Sequence, residues 1–261
     1  MCLDGDLTVT NLPTSLQHIF DVGTGTGIWA IEMGDKYDSA QITGVDISPI
    51  QPTWVPPNVT FEIDDITKPW LRTKESIDFI HIRNMVGSIR DWKALFAEAL
   101  EHLKPGGKIE VTDIRTRFEC LDGTFEQRGK SCKEWADTFH EISKGIGMDF
   151  DPTPKVPGWL KEVGFEEVHL ESRIIPVGPW PRNKKLKTLG AYYLSHMLDG
   201  GEPNAVGCRI LRWRALTMKL IRNGKLLDDA IYKGRLGSNI CTCATWESKN
   251  RAEGSGDAYL Y

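Results

Sequence analysis

The chain has 261 residues, 40% of them apolar and 26% charged, values near the averages of a globular domain, which exclude disordered, collagenous and coiled-coil classes. Its 32 Lys and Arg against 36 Asp and Glu leave a formal net charge of −4, no footprint for a phosphate backbone, so nucleic acid is not expected as a partner. No apolar run nears the roughly 18 residues of a membrane span, the acidic first residues lack an apolar signal core, and six scattered cysteines point to reduced thiols in a cytoplasmic or nuclear compartment.

Taken in chain order, short β-branched runs alternate with helical stretches, the pattern of an α/β fold with a doubly wound, mostly parallel sheet and helices on both faces. Ile19 to Val22 is the first predicted strand. Gly27 to Tyr37 is a helix and Gln41 to Val45 a second strand, completing a βαβ unit. Val59 to Ile63 and Ile77 to Ile82 add two strands, the latter apolar enough for the middle of a parallel sheet. Asp91 caps a helix running to about Leu103, with Trp92, Leu95, Phe96, Ala99 and Leu103 on one stripe, which stops before Pro105-Gly106-Gly107. Lys108 to Thr112 is a fifth strand.

Beyond Asp113, Cys132 to Ser143 and Gly158 to Val163 read as helices, Val168 to Val177 as extended, and Gly178-Pro179-Trp180-Pro181 as a break. Asn204 to Arg222 carries an apolar stripe flanked by arginines. Lys184, Lys185 and Lys187 with Arg182 read as a solvated loop, or as a basic localisation patch. Ser238 to Tyr261 is polar and aperiodic, so the expected organisation is one domain over 1–237, with a cofactor half at about 15–115, a substrate half at about 116–237 and a disordered tail over 238–261.

Asp21-Val22-Gly23-Thr24-Gly25-Thr26-Gly27 ends a strand and opens a helix, the context that turns clustered glycines into a ligand cradle. A dinucleotide fingerprint needs a glycine at position 28, which is Ile28, so a nicotinamide dinucleotide is disfavoured. Asp21 would repel a pyrophosphate and attract a cationic group. Asp46 ends the second strand, where a carboxylate accepts both hydroxyls of a ribose. Asp64 and Asp65 end the third, in place to accept an exocyclic adenine amine. Each assignment has a plainer rival: glycines that merely turn the chain, an Asp46 that caps the segment at Ser48-Pro49, and an Asp64-Asp65 pair that caps the next one. The acids in this order suit an adenosine joined to a cationic amino acid, which describes S-adenosylmethionine (SAM).

These residues resemble the class I SAM-dependent methyltransferases, a Rossmann-like fold. Gly23-Thr-Gly-Thr-Gly-Ile-Trp29, Asp46-Ile-Ser-Pro-Ile-Gln-Pro52, Trp54-Val-Pro-Pro-Asn58 and Phe61-Glu-Ile-Asp-Asp65 look like the fungal LaeA-like methyltransferases. The resemblance spans about Leu3 to Trp213. It implies that Asp21, Gly23, Thr24, Gly25 and Gly27 shape the methionine end, Asp46 takes the ribose, Ile47 packs on the adenine, and Asp65, or its rival Asp64, faces the adenine amine. It implies a small-molecule methyl acceptor, as in fungal secondary metabolism. The alternatives are a nuclear regulator working through partner proteins and a truncated inactive homologue.

Methyl transfer from a sulfonium is an in-line displacement, so the protein's main task is to hold donor and acceptor at near-attack distance. Arg83, Asn84 and Met85 follow the fourth strand and are candidates beside the methyl group, with Arg83 also a cofactor contact. His81 reads as a packed strand residue. Glu110 and Asp113 are candidate bases, or partners of Arg115 or Arg117. Trp159, Phe165, Trp180, Tyr192 and Tyr193 are candidate walls of an acceptor pocket, or core. Cys241 and Cys243 lack a second pair for zinc, so no metal is expected. Only 18 residues precede Ile19, so the cofactor-closing helix of the family is expected to be short or absent, and no closing strand is expected after Asp229.

Overall fold

The computed structural model describes residues 5–115, 117–118, 130–199 and 239–247. The strands are β1 (His18–Val22), β2 (Gln41–Asp46), β3 (Val59–Ile63), β4 (Ile77–Arg83), β5 (Leu103–Ile114), β6 (Glu166–Ile175) and β7 (Asn239–Glu247), and the helices α1 (Ile28–Lys36), α2 (Trp92–His102), α3 (Lys130–Ile146), α4 (Val156–Val163) and α5 (Lys184–Asp199). One seven-stranded sheet has the order β3-β2-β1-β4-β5-β7-β6. The pairs β1–β2, β2–β3, β1–β4 and β4–β5 are parallel. Chain order therefore reverses beside β1, and in open α/β sheets a crevice opens at such a switch point, outside the carboxyl ends of the strands.

Register explains why helices cover both faces. Ile19 of β1 lies beside Ile42 of β2 and Phe79 of β4, and all three pack with Trp29, Ala30 and Met33 of α1. The next residues along, Phe20 and Ile80, point the other way and pack with Leu95, Phe96 and Ala99 of α2 and Leu160 of α4. β4 is buried at Ile77 and from Phe79 to Ile82, as a strand covered on both faces must be. Asp91 caps α2 by accepting from the Ala94 N–H at 2.9 Å. Trp92, Leu95, Phe96, Ala99 and His102 form its buried stripe, and Leu103, already extended, ends the helix two residues before Pro105.

The described residues fall into two compact units, the larger holding 5–114, 143–172 and 242–247, the other 115, 117–118, 130–142, 173–199 and 239–241. Residues 143–172, which the sequence places in the second half of the domain, lie in the larger unit with β1 to β5. The reason is apolar: Val156, Leu160 and Phe165 are buried in the same core as α2. Two expectations are corrected. Residues 239–247, read as part of a disordered tail, form strand β7, whose Ile240, Thr242, Thr245 and Trp246 are good strand formers hidden in sequence by polar flanks. Lys184 to Lys187, read as a loop, open α5, with Asn183 accepting from the backbone N–H groups of Lys185 and Leu186. The stretch 204–222 lies outside the described residues. Residues 5–17 contain no helix. Among the described residues no helix is long and apolar enough to cross a membrane.

Candidate functional site

At the carboxyl ends of β1 to β4 lies a cavity of about 440 Å³, within the roughly 300–1,000 Å³ typical of small-molecule sites. Asp21, Gly23, Thr24 and Gly25 line it from the end of β1, Asp46 and Ile47 from β2, Asp64 and Asp65 from β3, and Arg83, Asn84 and Met85 from β4. Nearly all the positions singled out in the sequence for a ligand therefore converge on one space.

The loop 23–27 exists because its backbone is held from both sides. The N–H groups of Gly23 and Thr24 both donate to the Val45 carbonyl, at 2.8 and 2.9 Å, anchoring the turn on β2. Gly25 has a φ of +59° and nothing within 4 Å of where a Cβ would stand, so the backbone is bare toward the cavity, in a conformation that side chains disfavour. A Cβ at Gly23 would meet the Met85 sulfur at 2.3 Å, so the strand-end methionine occupies the space this glycine leaves. Gly27 does not line the cavity. It sits behind the loop, against the Phe61 ring, and its carbonyl accepts from Ile31 to start α1.

The carboxylates differ in how committed they are. Asp21 is only 3% exposed and is used on both oxygens: Oδ1 pairs with His81 Nδ1 at 2.7 Å and Oδ2 accepts from the Thr24 hydroxyl. His81 in turn stacks on Trp29, with ring centroids 3.7 Å apart and planes 8° from parallel. It is the packed strand residue expected, while also reaching the cavity wall. Asp21 is thus a buried floor group, already paired, rather than the open anion that the sequence suggested. Asp46 accepts from the Gly25 N–H at 2.8 Å through Oδ2 and from the Ser48 N–H at 2.9 Å through Oδ1. It combines the capping rival with its place on the wall. Asp65 Oδ1 accepts from the Thr67 hydroxyl and amide, bonds that hold its carboxyl below the usual carboxylate range. Asp64 Oδ1 accepts from the Asp65 N–H.

The opposite wall is fixed by β5. Asp113 Oδ2 accepts from the N–H groups of Met85 and Val86, both at 2.8 Å, and holds the turn in which Asn84 takes a φ of +55°. Burial pushes the Asp113 carboxyl up to about 7, against the pull of the backbone bonds from Ile114, Val86 and Met85.

The candidate base Glu110 is not at the site. It is fully buried and accepts from the N–H groups of Val9 and Thr10 and from the Thr10 hydroxyl, so it fastens the first residues to the sheet. The proposed aromatic walls also lie elsewhere: Phe165 is core and Trp159 packs against it, and neither they nor Trp180, Tyr192 and Tyr193 line this cavity. Gln51, not among the residues expected at the site, donates its amide to the carbonyls of Gly25 and Ser48. No spacing rule announces it, and only its place in the stretch 46–52 pointed near it.

Comparison with known proteins gives the family of the chain. Residues 10–170 match the family described as "Methyltransferase domain". The chain is 36% identical over 209 residues to "Methyltransferase pytC" of Aspergillus terreus, covering 79% of this chain and 64% of that protein. It is 32% identical over 196 residues to "Secondary metabolism regulator LAE1" of Cochliobolus heterostrophus, covering 74% and 64%. It therefore spans just under two thirds of the length of these relatives. Among solved structures, a phosphoethanolamine N-methyltransferase 2 of Haemonchus contortus, in complex with phosphomonomethylethanolamine and S-adenosylhomocysteine, superposes with a TM-score of 0.51 at 16% identity, over 90% of this chain and 49% of that one, a likeness of fold.

Proposed function

Because the chain belongs to the methyltransferase-domain family, we propose that it binds SAM in the cavity at the ends of β1 to β4 and transfers its methyl group to a small molecule of fungal secondary metabolism. The observation that carries this is one space of about 440 Å³ walled by a bare glycine loop and four aspartates. Those residues fit the group. Gly25 leaves the backbone open to close approach, Asp46 on the cavity wall would accept from the ribose hydroxyls, Ile47 is 70% exposed and offers an apolar face to a base, and Arg83 is a cation on the wall to face the amino-acid carboxylate. SAM supplies an activated methyl on a positively charged sulfur. The chain's share is to bind and orient, with Asp113 holding the wall at Met85 and Val86.

Isothermal calorimetry with SAM and with NAD on the protein tests this. SAM is expected to bind and NAD not, and Asp46→Ala is expected to weaken SAM about tenfold or more, the loss of a charge-assisted hydrogen bond worth about 1.5–3 kcal/mol. Equal binding of SAM by both forms would remove the ribose assignment, and no binding by the wild type would remove the cofactor.

A further inference from the structure

We propose that Gln51 is a positioning residue for the glycine loop, setting the direction of the Gly25 peptide groups and with it the affinity for the cofactor. This rests on the reading of the cavity as a SAM site. Gln51 Nε2 donates to the Gly25 carbonyl at 2.6 Å and to the Ser48 carbonyl at 2.9 Å, which uses both of its amide hydrogens. Asp46 does the converse, accepting from the N–H of the same two residues. Two side chains therefore take all four backbone groups of Gly25 and Ser48, donor and acceptor alike.

The consequence follows from the conformation of the loop. Gly25, at a φ of +59°, is free to rotate in a way that no other residue type is, and no side chain of its own restrains it. Asp46 alone fixes one end of this residue, leaving the carbonyl to swing. Gln51 supplies the second point, so the bare face of the loop is oriented before a ligand arrives, and binding does not have to meet that ordering cost. Gln51 itself does not line the cavity, so it acts through Gly25 and not by touching the ligand.

Two variants separate a donor from a packing group. Gln51→Glu keeps the size and shape but replaces two N–H donors with oxygens facing two carbonyls, whereas Gln51→Leu removes the polarity altogether. Donation predicts that SAM affinity falls in the order wild type, Leu, Glu, with Glu weaker than wild type on the order of tenfold, a loss larger than any fall in the melting temperature without ligand accounts for. Amide exchange in peptides covering residues 23–27 is expected to quicken in both variants of the free protein and to return toward wild type when SAM is added. A packing role predicts the reverse order, with the isosteric Glu closest to wild type, and that order would overturn the proposal. So would equal affinity in all three, or a loss that merely tracks the melting temperature. Failure of the wild type to bind SAM would be a different result, overturning the reading of the cavity and this inference with it.

Discussion

β3 and β5 both end near an aspartate that accepts backbone N–H bonds from the segments around the cavity, and the two pKa values shift in opposite directions. Asp65 is partly exposed and bonded by Thr67, and its pKa is lowered. Asp113 is bonded by the amides of Met85, Val86 and Ile114, yet its pKa is raised to about 7. Counting hydrogen bonds would rank Asp113 as the stronger acid. Desolvation reverses the ranking, because removing the charge from water costs more than three amide dipoles return. The rim beside β3 is a solvated, charged edge, and the wall beside β5 is a dry support that is largely neutral below pH 7.

The largest effect should come from removing the dry support. Asp113→Leu leaves the N–H groups of Met85 and Val86 without their acceptor, and unpaired buried donors cost about 1–3 kcal/mol each before relaxation. Measured at pH 5, where the carboxyl holds its proton and there is no buried charge to relieve, urea unfolding should show a loss of about 2–4 kcal/mol. A change under about 0.5 kcal/mol, the level of an ordinary surface substitution, would mean that the 84–86 turn holds itself.

Titration of the same group sharpens the contrast. With a folded pKa near 7 against an ordinary 3.8, the native state keeps a proton that the unfolded chain has released across that window. Stability therefore falls as the pH rises from about 4 to about 7 and is level outside it. Asp113→Asn retains an acceptor and cannot titrate, so its stability should lack this slope of at most about 1.4 kcal/mol per pH unit. Parallel stability curves for the two proteins would place the Asp113 carboxyl in water.

The same divide separates what the sequence made legible from what it did not. β3 emerges with the limits read from its β-branched run, and β1, β2 and β4 differ by a residue at one end or the other, because local periodicity reports burial directly. The glycine loop was legible for the same reason, since the turn, its bare backbone and the acids at the strand ends are all short-range signals. Glu110 was not. It meets Val9 and Thr10 across about a hundred positions, and nothing in its neighbourhood distinguishes a base at a site from an anchor under it. Asp21 was half legible: its place at the strand end was right, but its pairing with His81, 60 residues on, depends on which strands become neighbours. β7 was hidden because its run is short and lies in polar surroundings.

The smallest effect belongs to the solvated edge. Asp65 caps the turn at Thr67, and an exposed cap is worth about 0.5–1 kcal/mol, so Asp65→Ala should lower the melting temperature at pH 7 by about 1–3 °C. Its lowered pKa fixes the sign of the pH dependence. The contribution is present above 3.8 and is lost as the pH falls through the folded value, because the protonated carboxyl is a poorer acceptor. The melting temperatures of the two proteins should therefore converge on acidification, where Asp113→Asn and wild type differ most on the neutral side. If Asp65→Ala instead cost as much as Asp113→Leu, or if its deficit grew on acidification, Asp65 would have to be buried, and the difference between the wet edge and the dry wall would no longer hold.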